Sequence, residues 1–348
     1  MKAAIVILNY NGRSHLETFL PSVIAHSPAW AEIIVADNGS TDDSLLFLKN
    51  TYPNIRTIKF AENHGFAGGY NLALREIDAP YYVLLNSDVE VTPNWLDIII
   101  HEMDANDQIA AAQPKIKSYK DRGHFEYAGA SGGFIDKYGF PFCRGRIFDN
   151  CERDIGQHND NREIFWATGA CLVVRSKAYH DAEGFDKDFF AHMEEIDLCW
   201  RLKNQGYQIY CFPQSTVFHL GGGTLSAQKP HKTYLNFRNG LTLMIKNDYR
   251  KGFFRILFTR MVLDGIAAVS FIFSRGISHS IAVVRSHFYL YGNFRILRKK
   301  RRYWRERKVT YNQTGFYRKS IVKDYYVRKM SVFGALPSRY FIRQDRTK

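Results

Sequence analysis

Four short apolar runs rich in β-branched residues punctuate the first hundred positions, at residues 3–8, 33–36, 55–60 and 81–85. The stretches between them read as helices, and this alternation predicts a parallel sheet with crossover helices. Each run ends in polar or small residues: Asn9-Tyr10-Asn11-Gly12, Asp37-Asn38-Gly39-Ser40-Thr41-Asp42, Glu62-Asn63-His64-Gly65 and Asn86-Ser87-Asp88. Ligands of open α/β sheets bind beyond the carboxyl ends of the strands, so these four loops are expected to share one crevice.

From about residue 113 to 165 the pattern becomes irregular and glycine-rich, which predicts an insertion of loops and short strands. Regularity returns with a strand at 170–174, a helix from 194 to about 204, and strands at 208–212 and 216–219. Beyond residue 252 come two long apolar stretches. The first is interrupted by Arg255, Arg260 and Asp264, the second by Arg275, His279, Arg285 and His287.

Charge divides the chain. The net charge is +14, yet residues 1–245 carry 23 Lys/Arg against 29 Asp/Glu and residues 246–348 carry 25 against 5. A boundary near Lys246 is therefore expected, with a slightly acidic domain at 1–245 and a strongly basic region at 246–348. A positive field attracts phosphate-bearing partners without choosing among them. No nucleic-acid-binding module accompanies the charge, which argues against nucleic acid. The five cysteines show no CxxC spacing, so neither a disulfide framework nor a zinc cluster is expected. The apolar start is too short for a signal-peptide core, and a cytoplasmic location is expected.

Several segments could carry chemistry. Asp37 to Asp42 puts a carboxylate at a strand tip and small hydrogen-bonding residues at a helix start, as a nucleoside site or a plain helix cap requires. The glycines within Asn63-His-Gly-Phe-Ala-Gly-Gly-Tyr-Asn71, Gly68 among them, permit close backbone approach to a diphosphate, or simply a turn before a helix. Asp88, after an apolar strand, suits Mg²⁺ or Mn²⁺, which take one or two carboxylates plus substrate phosphates; an isolated Asp there also serves turns. Glu194, Glu195 and Asp197 crowd the first turn of a helix. Clustered carboxylates shift one another's pKa values, as a general base requires, while any single one could merely complement the helix dipole. His219 ends a strand ahead of Gly221-Gly222-Gly223-Thr224, a position open to metal binding or a structural role.

In this order the segments resemble glycosyltransferase family 2 of the GT-A fold, in its rhamnosyltransferase-like bacterial branch. The matching motifs are Asn9-Tyr-Asn-Gly12, Asp37-Asn-Gly-Ser-Thr-Asp42, Asn63 to Asn71, Leu85-Asn-Ser-Asp88, Thr168-Gly-Ala170, Glu194-Glu-Ile-Asp197-Leu-Cys-Trp-Arg201 and Phe218-His219, spanning about residues 3–245. The resemblance implies an α/β, Rossmann-like, mostly parallel sheet flanked by helices, and a metal-dependent, inverting transfer from a nucleotide-sugar. It implies donor contacts from Tyr10, Asn11, Asp37, Asn63, Gly68, Asn86, Ser87 and Arg238, with Asp37 accepting from a uracil or thymine imide. It implies metal ligation by Asp88 and His219, a general base at Glu195 or Glu194, and acceptor contacts from Thr168, Gly169 and Asp197. Asp197 and Arg201 are also placed to orient their helix by ion pairing. Asn86 departs from the acidic residue the family carries there, and Glu195 stands where the family usually has Asp.

The same resemblance implies a dTDP- or UDP-sugar donor, with rhamnose favoured, and a lipid-linked or glycan acceptor in cell-surface polysaccharide synthesis. The alternative is a catalytically weak, nucleotide-sugar-binding or scaffold protein of the same fold. The charges inside the late apolar stretches disfavour a spanning helix. With nine Lys/Arg against Glu306 in residues 295–308, they predict a helix lying in an anionic membrane surface, at the inner face of the plasma membrane, or else a solvated basic helical tail that packs on the catalytic domain.

Overall fold

A computed structural model of the chain describes residues 1–221, 229–308 and 310–343. The expected alternation opens the fold: β1 (Ala3–Asn9), α1 (Arg13–His26), β2 (Ala31–Asp37), α2 (Ser44–Thr51), β3 (Arg56–Lys59), α3 (Gly65–Ala73) and β4 (Tyr81–Asn86). These four strands pair in parallel in the order β4-β1-β2-β3, with Asn9 beside Asp37 and Leu8 beside Asn86. That register puts the polar strand ends at one edge.

The sheet continues as a mixed one. After β5 (Val89–Val91) and α4 (Asp97–Ala105) comes β6 (Ile109–Ser118). The irregular insertion folds into short strands: β7 (Gly133–Asp136), β8 (Pro141–Cys143), β9 (Arg146–Ile147), β10 (Asn150–Cys151) and β11 (Arg162–Ile164). Then β12 (Cys171–Arg175), antiparallel to both neighbours, fills the gap between β4 and β6. It is followed by α5 (Ser176–Asp181), the acidic helix α6 (Glu194–Asn204) and β13 (Gln208–His219), which lies parallel to β6. The two strands expected at 208–212 and 216–219 are one strand, bent by an irregularity between Phe212 and Thr216. Apolar clusters line both faces of this sheet, as expected for a sheet covered on both sides. All five cysteines are free thiols.

The basic third contributes α7 (Pro230–Asn247), which begins before the charge boundary, then α8 (Phe253–Ser274), α9 (Ile277–Glu306), β14 (Phe316–Tyr317) and α10 (Ile321–Tyr326). The charge boundary near Lys246 falls inside α7. β14 pairs with β7 and so completes a second, five-stranded sheet. Phe333 and Phe341 pack on Phe134 and Phe142, and Asp136 accepts from the Ile321 amide. The hydrophobicity of these scattered aromatic residues fastens this last part of the tail to the insertion.

Candidate active site

The strand-end loops interlock through short polar side chains. Asn9 Nδ2 donates to Asp37 Oδ2 and to Ser40 Oγ, both at 3.1 Å. The Ser40 amide donates to Asp37 Oδ1, and Asn11 Oδ1 accepts from the Thr41 and Asp42 amides. Asp37 is only 1% exposed, and its carboxylate shapes the loop through these bonds. Tyr10, 50% exposed, is what this turn offers to solvent, and a planar ring suits base stacking. Asn38, which sequence reasoning passed over, ties this loop to the next: its Nδ2 donates to Asn63 Oδ1 and Gly65 O, while its Oδ1 accepts from the His64 amide.

Helix α3 begins at Gly65, with φ of +71° and no room for a Cβ beside the Phe190 ring. The Phe66 and Ala67 amides point at the Phe190 carbonyl (3.1 and 3.5 Å). The first amides of α3 are thus partnered within the protein here and not open to a diphosphate. Gly68 sits one turn in, against His64, and Asn63 is exposed at the rim.

Asn86, Ser87 and Asp88 leave β4 at the same edge. β5 pairs Val89 with His219 at the end of β13, which brings Asp88 Oδ1 to 3.1 Å from His219 Nε2. Asn86 Nδ2 lies 3.5 Å from the same nitrogen. His219 Nδ1 lies 3.1 Å from Glu126 Oε2, a carboxylate inside the irregular insertion that no motif marked. Burial works against a charged ring, but contact with both carboxylates raises the His219 pKa to about 10. Burial likewise works to raise the Asp88 carboxyl, yet His219 holds it below its ordinary value.

Two converging groups, one oxygen and one imidazole nitrogen, fit a divalent cation whose other ligands are phosphate and water. Glu126 would then hold the far nitrogen of the ring, as carboxylates behind metal-binding histidines do. Residues 222–224 of the following glycine run lie outside the described residues.

Beside this group, the chain enters α6 through Phe190, His192 and Met193, all with positive φ (61°, 68° and 69°). Such conformations persist only where neighbours over-determine them. The clamp is Arg238-Asn239 on α7. Asn239 Nδ2 donates to the carbonyls of Phe189, Ala191 and His192, and Arg238 Nη2 to those of Asp188 and Phe189. Arg238, expected at the donor phosphates, gives its Nη2 to this loop.

The clamp presents Glu194 and Glu195 at the start of α6, each with an Oε2 that is shielded from solvent and has no hydrogen-bond partner. Burial, then the neighbouring charge of Glu195, pushes the Glu194 carboxyl well up. Burial raises Glu195 to about 7 against the opposing pull of backbone amides. Gly169 lies against Glu195: a Cβ on it would stand 3.9 Å from Glu195 Cβ and 3.3 Å from the Phe66 ring.

Two residues expected at the acceptor are internal supports. Thr168 donates its hydroxyl to the Ala128 carbonyl and accepts from the Ala170 amide. Asp197 is 0% exposed, with its oxygens taken by Arg201, Lys246 and Asn247. The ion pair with Arg201 orients the helix as the spacing suggested.

The sequence profile of Glycosyl transferase family 2 matches residues 4–182. The chain belongs to glycosyltransferase family 2. Among relatives of this glycosyltransferase is the N-acetylglucosaminyl-diphospho-decaprenol L-rhamnosyltransferase of Mycobacterium tuberculosis, 27% identical over 233 residues, or 62% of this chain and 75% of that one. The low-salt glycan biosynthesis hexosyltransferase Agl10 of Haloferax volcanii is 22% identical over 79% of this chain and 86% of its own.

Among solved structures, GalNAc-T7 with UDP, GalNAc and Mn²⁺ superposes with a TM-score of 0.59 at 13% identity. That match covers 76% of this chain and about half (51%) of that one. TarS of S. aureus in complex with UDP-GlcNAc gives 0.54 at 14% identity, over 88% and 93% of the two chains. The fold is GT-A, with a mixed sheet where a mostly parallel one was expected.

Proposed function

We propose that this glycosyltransferase moves a sugar, with rhamnose favoured, from a dTDP- or UDP-sugar to a hydroxyl of a lipid-linked glycan, with inversion, during cell-surface polysaccharide synthesis at the cytoplasmic side of a membrane. The observation that carries the reading is the pair Glu194 and Glu195, clamped at the crevice with unpartnered carboxylate oxygens.

Burial and the charge of its neighbour push the Glu194 carboxyl well up, and Glu195, raised to about 7, is the carboxylate poised to take the acceptor proton near neutral pH. It would do so as the acceptor oxygen attacks the anomeric carbon opposite the departing diphosphate. Tyr10 and the Asn63 rim would hold the nucleoside, and the acceptor would approach Glu195 past Gly169, which lies against it. Asp88 and His219 would hold Mg²⁺ or Mn²⁺, which when bound supplies charge neutralisation for the leaving diphosphate. The rhamnose and lipid-linked choices lean on the mycobacterial relative, whose name states both.

The test is release of nucleoside diphosphate from a panel of UDP-, dTDP- and GDP-sugars, with a lipid-linked acceptor extract and with or without chelator. Chelator-sensitive release from one donor, abolished in Glu195→Gln and accompanied by an inverted anomeric configuration in the product, is the expected result. Lack of release from every donor with a competent acceptor pool would defeat the reading.

A further inference from the structure

α8 has two faces of different character. Leu257, Arg260, Asp264 and Ala268 are buried, with Arg260 bonded to Asp264 and to the carbonyls of Tyr138 and Gly139. The opposite stripe, Phe254, Phe258, Val262 and Ile266 at helical spacing, is exposed, Phe254 to 71% and Phe258 to 68%. α9 returns antiparallel beside it: the Ser280 hydroxyl meets the Ala268 carbonyl, His287 meets Asp264, and Arg301 stacks on Phe253. α9 packs on α7 and leaves its own apolar residues exposed, Ile281 and Phe288 among them. A soluble monomer rarely leaves so large an apolar face uncovered.

Among the described residues α8 alone is long and apolar enough to cross a membrane. Its buried Arg260 and Asp264, however, fasten it lengthwise along the catalytic domain. Pulling them into hydrocarbon would strip a charged pair of its partners.

The flanking charge identifies the occupant. Lys251 and Arg255 at the start of α8 lie at the same end of the hairpin as Arg298 and Lys299 on α9, all exposed, while the only acids between residues 251 and 308 are Asp264 and Glu306. Two copies of so basic a face would repel, whereas anionic headgroups would be attracted.

We infer that the α8–α9 hairpin lies flat in the headgroup region of an anionic bilayer, seating the enzyme on the membrane without crossing it. This rests on the membrane reading above and adds its orientation. The turn end of the hairpin meets α7 where Thr233 Oγ lies 2.8 Å from His279 Nδ1. From that turn α7 runs to the loop that enters α6, where its Asn239 Nδ2 donates to the His192 carbonyl at 2.7 Å. The docked face therefore puts that end of the active site at the lipid surface.

The experiment uses the full chain and vesicles of zwitterionic lipid with or without anionic phosphatidylglycerol. The wild type is expected to co-sediment with the anionic vesicles and to be released by salt. The combined variant Phe258→Ser, Ile266→Ser and Phe288→Ser is expected to lose partition by about tenfold or more, with unchanged thermal melting and unchanged slow hydrolysis of the donor. Fluorophores on Val262→Cys and Phe288→Cys should be quenched more by spin labels near the headgroup than by labels at the acyl-chain ends. Stronger quenching at the chain ends, full binding by the triple variant, or a lipid-independent dimer that ignores vesicles would overturn the inference. A protein that hydrolyses donor but ignores vesicles fails here and leaves the transfer reaction standing; one that binds vesicles and turns over no donor does the reverse.

Discussion

Glu126 Oε2 stands 3.1 Å from Nδ1 of His219, on the side of the ring opposite Asp88. The carboxylate is held by its own backbone, accepting from the Ala128 amide at 2.5 Å, and Gly221 leaves it room that a Cβ would take. It therefore fixes which nitrogen of His219 faces Asp88. Glu126→Gln keeps the shape and loses the charge, and is expected to weaken Mn²⁺ affinity in the presence of nucleoside diphosphate about 10- to 100-fold. Titration calorimetry measures that directly, without turnover. Unchanged Mn²⁺ affinity in a folded Glu126→Gln protein would remove Glu126 from the site.

The Glu195 carboxyl, raised by burial to about 7, predicts a pH profile. The base must be ionised, so kcat/KM should rise with pH through about 7 and then level. Glu195→Gln should remove that limb along with on the order of 10²-fold or more of the turnover, while donor binding persists. Stability runs the other way. A carboxyl whose folded pKa lies above its unfolded value keeps a proton that the unfolded chain sheds, so its contribution falls as pH rises past the unfolded value of 4.5. Glu194→Gln, which cannot ionise, is expected to be more stable than wild type at pH 8 by on the order of 1 kcal/mol and therefore to melt at a higher temperature. An unchanged or lower melting point would count against the buried, electrostatically strained pair.

The strand ends and the acidic helix were legible because each is local: a β-branched run closed by polar residues, or carboxylates at one helical turn. Their roles were less so. Asp37 and Thr168 sit in recognisable motifs, but only the fold shows that their polar atoms bond the protein itself. Glu126 and Asn38 carry no motif, since what matters is a partner far along the chain, His219 in one case and Asn63 with Gly65 in the other. Charge composition does not show which tail residues pack on the rest of the chain, for a similar reason. Tyr317, Phe333 and Phe341 are isolated in a basic sequence, yet they complete an aromatic cluster around Phe134 and Phe142.

Asn239 gives a separate test of how the proposed base, Glu195, and its neighbour Glu194 are positioned. Its amide donates to three carbonyls of the loop that enters α6 with positive φ at non-glycine residues. Asn239→Ala leaves those acceptors short of a donor, which should cost about 1–3 kcal/mol. Relaxation of Phe190, His192 and Met193 toward ordinary φ would also move Glu195, and misplacement on the scale of an ångström costs about 10²-fold in rate. The expected signature is a large fall in kcat with little change in donor Kd. A matched loss in both would mean that the clamp holds the donor loops and not the base.

Lys246 joins three elements through one ammonium: its Nζ lies 2.8 Å from Asp186, before α6, and 2.8 Å from Asp197 within it, while Lys300 of α9 closes on Asp186 from the other side. Burial disfavours the charged forms of both partners, so the cluster is stable only when complete. Lys246→Met deletes the shared cation and should cost about 3–5 kcal/mol, measured by denaturant unfolding. If the cost is the uncompensated carboxylate, adding Asp197→Asn should restore part of it, whereas a packing defect would only deepen. The acid side offers a second reading of the same cluster. Burial tends to raise the Asp186 carboxyl, but Lys246 and Lys300 depress it below its ordinary 3.8, so its contribution is present above that value and is lost as pH falls through the lower folded one. With Lys246 gone the folded value moves back up. Acid unfolding should then begin at a higher pH in Lys246→Met than in wild type, and an unshifted acid transition would show that Lys300 alone sustains Asp186.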